Sequence, residues 1–263
     1  MSSRAVVVDP SPQNTSRKWR HLPSVPEALA SFLRTIVVAL FLLTFVVQPF
    51  LIPSESMERT LLVGDFLLVN KQIFAPVGAK YNPARWLMPH REIERGDIAV
   101  FHHADPPYLI KRVIGVPGDR IQIDNDRVIV NGVPLSEPYV AFEPAAPNPF
   151  LDNFPGRIYT DPNIDPVWWR ELQNLTEGGA LVVPPGEYFM LGDNRNHSKD
   201  SRFWGFVPRQ KIVARPLVIY FSLRRPSTTD VQRASDDRLG QDGELGSRFA
   251  GFARWNRIFR VVR

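Results

Sequence analysis

The feature that most constrains this chain is the run Phe32–Ile52, FLRTIVVALFLLTFVVQPFLI. As a helix, its 21 residues would cover about 31 Å, enough to cross the hydrocarbon core of a bilayer. A helix lying on a soluble core carries a polar face at 3.6-residue spacing, and this run has none. Its one charge, Arg34, sits near the first end, where a long side chain reaches the interface. The cleanly apolar part, Ile36–Val47, is shorter, which leaves a buried helix or a cleavable signal segment as alternatives. A cleavable segment needs small residues at its −3 and −1 positions. The exit here reads Val-Val-Gln-Pro-Phe-Leu-Ile-Pro, so the run reads as an uncleaved anchor over 32–52. Arg17, Lys18 and Arg20 precede it, and Glu55 and Glu58 follow. The positive-inside bias then makes residues 1–31 a cytoplasmic leader and puts everything after residue 52 outside the cell membrane.

Composition narrows the fold of the remainder. Proline supplies 25 of 263 residues, about twice the usual share, which argues for short strands and irregular loops over a mostly helical body. With no cysteine, disulfides, a cysteine nucleophile, Cys-ligated zinc and iron–sulfur clusters are excluded. The net charge of +5 suits nucleic acid or anionic lipid, and composition does not choose between them. Residues 53–225 read as the folded body. Strands are expected at Leu61–Lys71, Asp97–His103, Tyr108–Val116, Arg120–Asp124, Arg127–Val130, Leu181–Val183, Tyr188–Leu191 and Ile212–Leu223, with a hairpin turn at Asp124-Asn125-Asp126. One helix is expected, over Val167–Leu175. Residues 136–180 read as a Pro-rich insertion or small subdomain. Residues 226–263 read as a polar linker (226–247) and then a basic amphipathic segment. There Phe252, Trp255, Phe259 and Val262 share one face of a helix, with Arg254 and Arg257 turned away, a pattern that suits anionic lipid.

Four segments carry chemistry: Pro53-Ser-Glu-Ser-Met-Glu-Arg-Thr-Leu61, Gly64-Asp65, Lys111-Arg-Val-Ile-Gly-Val-Pro-Gly-Asp119, and Gly192-Asp-Asn-Arg-Asn-His-Ser-Lys-Asp-Ser-Arg202. In this order behind an N-terminal anchor, over residues 32–223, they resemble the bacterial type I signal peptidases (leader peptidases). These are membrane-bound Ser–Lys proteases that remove signal peptides from exported preproteins. The resemblance implies a mostly β, antiparallel-sheet protease body behind one transmembrane helix. It implies Ser56 as nucleophile, Lys111 as its base, and an oxyanion hole made by the Ser54 hydroxyl and the Ser56 backbone N–H. It also implies that Ser198 orients the lysine and that Asp200 and Arg202 form a supporting ion pair. Asp193, Asn194 and Arg195 read as turn and scaffold residues.

The residues themselves bear on this. A serine hydroxyl needs an adjacent base. A lysine serves as one only when neutral, which burial among apolar neighbours favours. In a strand, Lys111 shares a face with Leu109 and Val113. Taken alone, it would read as an ordinary strand-edge lysine, and Ser54 as a turn residue after Pro53. His102-His103 point to opposite faces of a strand and complete no metal site; no cofactor is expected. Glu55, Arg59 and His197 depart from the family's usual Gly, Pro and Asn. The expected partners are signal peptides and the bilayer, with no nucleic acid and a monomeric enzyme. Two rivals stand beside this reading: a DNA-binding regulator of the SOS-repressor type with a related Ser–Lys autoprotease domain, and a catalytically inactive membrane binding protein on the same fold.

Overall fold

Residues 24–71, 73–74, 91–104, 107–143, 148–156, 161–224 and 252–263 are described by the computed structural model. The expected leader up to residue 23 and the linker 226–247 lie outside these residues. The chain divides into two units, residues 1–40 and 41–263.

The first unit is helical. Helix α1, Val25–Phe41, buries none of its side chains. Its start is marked by Ser24-Val-Pro-Glu: the Glu27 carboxylate accepts a hydrogen bond from the Ser24 N–H at 2.8 Å, and Pro26 stands in the first turn. With the π-turn Leu42–Val46 it forms a 22-residue helical run, Val25–Val46, long and apolar enough to cross a membrane.

The helical run Val25–Val46 differs at both ends from the anchor expected over 32–52. The last residues of that expected anchor, Val47–Leu51, form strand β1, which among the described residues is an edge strand paired with β2, Asp65–Asn70. Pro49 explains the change: it breaks a helix interior but is tolerated on an edge strand.

The strands of the second unit form two antiparallel sheets. The larger sheet runs β1-β2-β12-β3-β4-β10-β11, with β13 added to β12. Its further strands are β3 Ile98–His102, β4 Tyr108–Gly115, β10 Glu187–Leu191, β11 Val207–Pro208, β12 Ile212–Ser222 and β13 Arg260–Val261. The smaller sheet runs β7-β6-β5-β9-β8, from β5 Arg120–Asp124, β6 Arg127–Val130, β7 Val133–Pro134, β8 Thr176–Glu177 and β9 Ala180–Val182. The β5–β6 turn holds Asn125 and Asp126 at φ 46° and 66°, as a two-residue hairpin loop requires. Strand β12 serves β3 with its first half and β2 with its second. Its register shifts at Pro216/Val218 and Ile219/Phe221, and such bulges bend a strand enough to join two sheet regions.

Ile52, Met57, Leu61, Leu67 and Val100 pack in one core beneath the larger sheet. Another joins Ile121, Val128 and Phe189 to Phe150, Phe154, Trp168 and Leu172 from the 136–180 segment. Helices α2, Pro149–Asp152, and α3, Pro166–Asn174, begin on Asn148 and Asp165 caps.

The expected C-terminal helix is not formed. Trp255–Arg257 is a single 3₁₀ turn, and Arg260–Val261 is paired to β12. Arg257, expected to face solvent, is buried, with its guanidinium on Asp65 at 2.5 Å and 3.1 Å and on the Thr60 carbonyl at 2.9 Å. Val262 enters the Leu61–Leu67 core while Trp255 and Phe259 stay exposed. That long-range ion pair and core contact outweigh the helical spacing.

Candidate active site

The turn that carries Ser56 is held at both ends. The Ile52 N–H donates to the Asp65 carbonyl and the Gly64 N–H to the Ile52 carbonyl, at 2.9 Å and 3.0 Å. Gly64 sits at φ 88°, and a Cβ there would lie 2.5 Å from the Leu223 carbonyl oxygen, so only glycine closes this turn. Ser54 is extended and exposed, and it opens the 3₁₀ turn Glu55–Met57. Met57 and Leu61 are buried in the core, and Ser56, just before Met57, is half-buried.

Lys111 lies opposite Ala99 in the β3–β4 register and is 2% exposed. Successive strand residues face opposite ways, and Arg112 turns to the other side. There it makes a bidentate pair with Asp193, at 2.8 Å and 2.7 Å, and donates to the Gly96 carbonyl. Burial lowers the Lys111 ammonium from 10.5 to about 8; Asp200 and Asp193 pull it up, and Arg202 pushes it down. A cleft of about 360 Å³ is lined by Ser54, Ser56 and Lys111, with Leu51, Tyr108 and Ile110 among its apolar walls.

The loop after β10 supplies the remaining residues. The Gly192 Cα is wedged against the Ser56 turn: a Cβ there would lie 2.2 Å from Ser198 Oγ and 2.4 Å from the Ser56 carbonyl oxygen. The Asn194 N–H donates to that same carbonyl at 3.2 Å. Asp200 is fully buried. It accepts Arg202 Nε and Nη2, each at 2.9 Å, and the Gly192 N–H at 3.1 Å. Burial by itself would raise the Asp200 carboxyl, and the Arg202 guanidinium beside it holds it below its ordinary value.

The structure therefore brings Ser54, Ser56 and Lys111 onto one cleft, with the Asp200–Arg202 pair in the buried loop that also carries Ser198. Ser198 Oγ is itself buried and has no hydrogen-bond partner among the described residues, so the bond to Lys111 implied by the resemblance is not made in this geometry. Of the three departures, Glu55 opens the 3₁₀ turn, and His197 Nε2 stands 3.3 Å from Glu143 Oε2. Arg59 adopts φ 80°, which proline could not, and donates to the Val140 carbonyl at 2.5 Å. Sequence reasoning missed the Arg112–Asp193 pair and Thr60 Oγ1 on Asp193 at 2.5 Å. Strand alternation beside Lys111 was the available signal for Arg112. Among the described residues, no cluster of three or more His, Cys, Asp or Glu could hold a metal.

Residues 25–221 match the family model for "Signal peptidase, peptidase S26". The chain belongs to this family. It is 37% identical over 200 residues to a signal peptidase I of Leptolyngbya laminosa, covering 73% of this chain and 77% of that protein. It is 32% identical over 232 residues to a signal peptidase I of Pseudomonas fluorescens, covering 81% and 78%, and 31% identical over 230 residues to one of Pseudomonas aeruginosa, covering 81% and 78%. As a signal peptidase the chain is a serine peptidase, and its apolar helix Val25–Val46 fits association with a membrane.

Proposed function

We propose that this signal peptidase cuts signal peptides from exported preproteins with Ser56 as nucleophile and Lys111 as general base. The observation that supports it best is a lysine 2% exposed, lowered to about 8, lining the same cleft as Ser56. Lys111 Nζ takes the Ser56 Oγ proton as Oγ bonds to the scissile carbonyl carbon. The oxyanion accepts hydrogen bonds from the Ser54 hydroxyl and the Ser56 N–H. As the C–N bond breaks, Lys111 returns the proton to the leaving amine. Water, deprotonated by the same lysine, then hydrolyses the acyl-enzyme and restores Ser56. A rotation of the free Ser198 hydroxyl toward Nζ would orient the lysine. The Asp200–Arg202 pair keeps that loop in place. These steps use no metal or cofactor. The apolar helix Val25–Val46 sets this reading apart from the DNA-binding rival, and an activity test separates it from the inactive binding protein. The direct test is cleavage of a signal-bearing reporter preprotein by the full chain, with loss of cleavage in Ser56→Ala.

The same reading gives a topology: a single pass through the cell membrane, leader inside, catalytic body outside, working as a monomer. Trp255 and Phe259 are exposed beside Arg260, a composition suited to the lipid interface. Protease added to sealed spheroplasts is expected to digest the body after residue 53 and leave the leader protected. A protected body with a digested leader would reverse the orientation and remove access to exported substrates.

A further inference from the structure

The stretch 137–143, between β7 and α2, crosses both the nucleophile turn and the Gly192–Ser198 loop. At its start, the Glu137 carboxylate accepts both Arg195 Nη atoms, at 2.9 Å and 2.5 Å, with the two side chains 9% and 3% exposed. In its middle, the Tyr139 hydroxyl donates to Glu137 at 3.0 Å, and the Tyr139 ring lies 3.8 Å from the Arg112 guanidinium. Val140 holds Arg59 through its carbonyl. Ala141 bridges the loop on both sides: its N–H donates to the Asp193 carbonyl at 2.8 Å, and its carbonyl accepts the Arg195 N–H at 3.0 Å. At its end, Glu143 accepts Asn194 Nδ2 on Oε1 at 3.1 Å and Asn196 Nδ2 on its carbonyl at 3.0 Å.

We propose that residues 137–143 form a strap that positions the catalytic loop, with Glu137 as its anchoring residue. Through Arg195, Glu137 fixes Gly192–Ser198 against the nucleophile turn. This rests on the Ser–Lys reading above. Arg195 carries the connection inward: its Nε donates to the Gly192 carbonyl at 3.1 Å, and its own carbonyl accepts Arg202 Nη2 at 2.7 Å. Without Glu137 the Arg195 guanidinium is a buried charge lacking its partner, and the loop must move to let water reach it. Little free movement exists, because the Gly192 Cα already sits against both Ser198 Oγ and the Ser56 carbonyl. A loop displacement well under an ångström therefore shifts the nucleophile turn and Ser198 together. Glu137 touches no reacting atom and acts only through Arg195.

The test uses the full chain in detergent on a signal-bearing preprotein, comparing wild type, Glu137→Ala and the equal-volume Glu137→Gln. Glu137→Ala is expected to lose about 100-fold in kcat, the scale of a misplaced catalytic group. Its KM should change less than about threefold, since the cleft walls at 51–54 and 108–110 are untouched. Glu137→Gln, which keeps one acceptor, should fall between. The pH–rate profile should also move to higher pH as water reaches Lys111, which is faced by Asp193, Asp200 and Arg202 and shares its cleft with His197 and Lys199. A structural role alone would lower stability and leave that profile in place. Folded variants with wild-type kcat and an unmoved profile, or a loss confined to KM, would overturn the strap. If Glu137→Ala does not fold, Glu137→Gln decides by the same readings. A preprotein left whole by the wild type would overturn the Ser–Lys reading and the strap with it, whereas cleavage by the wild type with unaltered variants sinks the strap alone.

Discussion

Ser56→Ala is expected to lower kcat/KM on a signal-bearing preprotein by at least about 10⁴-fold, and Lys111→Met by a similar factor, as when one member of a concerted catalytic set is removed. Methionine is chosen because it fills much of the lysine's volume without placing a charge or a cavity in the strand, so the fold should survive. Nucleophile and base act as a unit, and the double variant should be no slower than either single one. Single-turnover cleavage alongside circular dichroism separates lost chemistry from lost fold. Near wild-type turnover in Lys111→Met would remove the lysine from the mechanism.

Asp200→Ala should be the most damaging substitution to stability. Asp200 is fully buried, and it holds Arg202, itself 2% exposed, while accepting the N–H groups of Gly192 and Arg202. It is also the N-cap of α4, Ser201–Trp204. Its removal strands the Arg202 guanidinium in the interior and is expected to cost about 3–5 kcal/mol. That is a large part of the total for most domains, which runs to about 5–15 kcal/mol. Urea unfolding midpoints measure it, and a loss below about 1 kcal/mol, the scale of a solvated surface pair, would show that the pair is not sealed from solvent. Asp200→Asn, which keeps an acceptor for the N–H groups, should lose less.

Much of this molecule could be read from local pattern. The Asn125-Asp126 turn followed from turn chemistry, and helix α3 lies within a residue of the helix expected over Val167–Leu175. Strand β4 followed from its apolar run, whereas Lys111 taken alone read as a strand-edge lysine and its burial was implied only by the resemblance. The strand Val47–Leu51 did not emerge, because a continuous apolar run reads alike for a membrane helix and for an edge strand. Gln48 and Pro49 were the only local marks of the change. The bond from the Ser24 N–H to Glu27 starts the helix before the apolar run on which the expected span rested. The C-terminal segment failed for a different reason. Its helical spacing was real, yet Arg257 is held by Asp65, 192 residues away, and no window of local sequence contains that partner. Glu137 with Arg195 is the same kind of case, at a separation of 58 residues. The four family segments reached the cleft residues, while the ion pairs that hold those segments together are long-range and become visible only in the fold.

The measurement that tests the account most directly is the pH dependence of kcat/KM for the wild-type full chain. The lysine must be neutral to accept the Ser56 proton, so activity should rise with pH as Nζ loses its charge. The half-maximal point should fall near the value of about 8 that burial imposes on Lys111, below the ordinary lysine value of about 10.4. A profile that rises through this range to a plateau, with the fold constant, agrees with Lys111 as the base. A profile flat from acid to alkaline pH, or one that falls as pH rises through 8 while the protein stays folded, would contradict it.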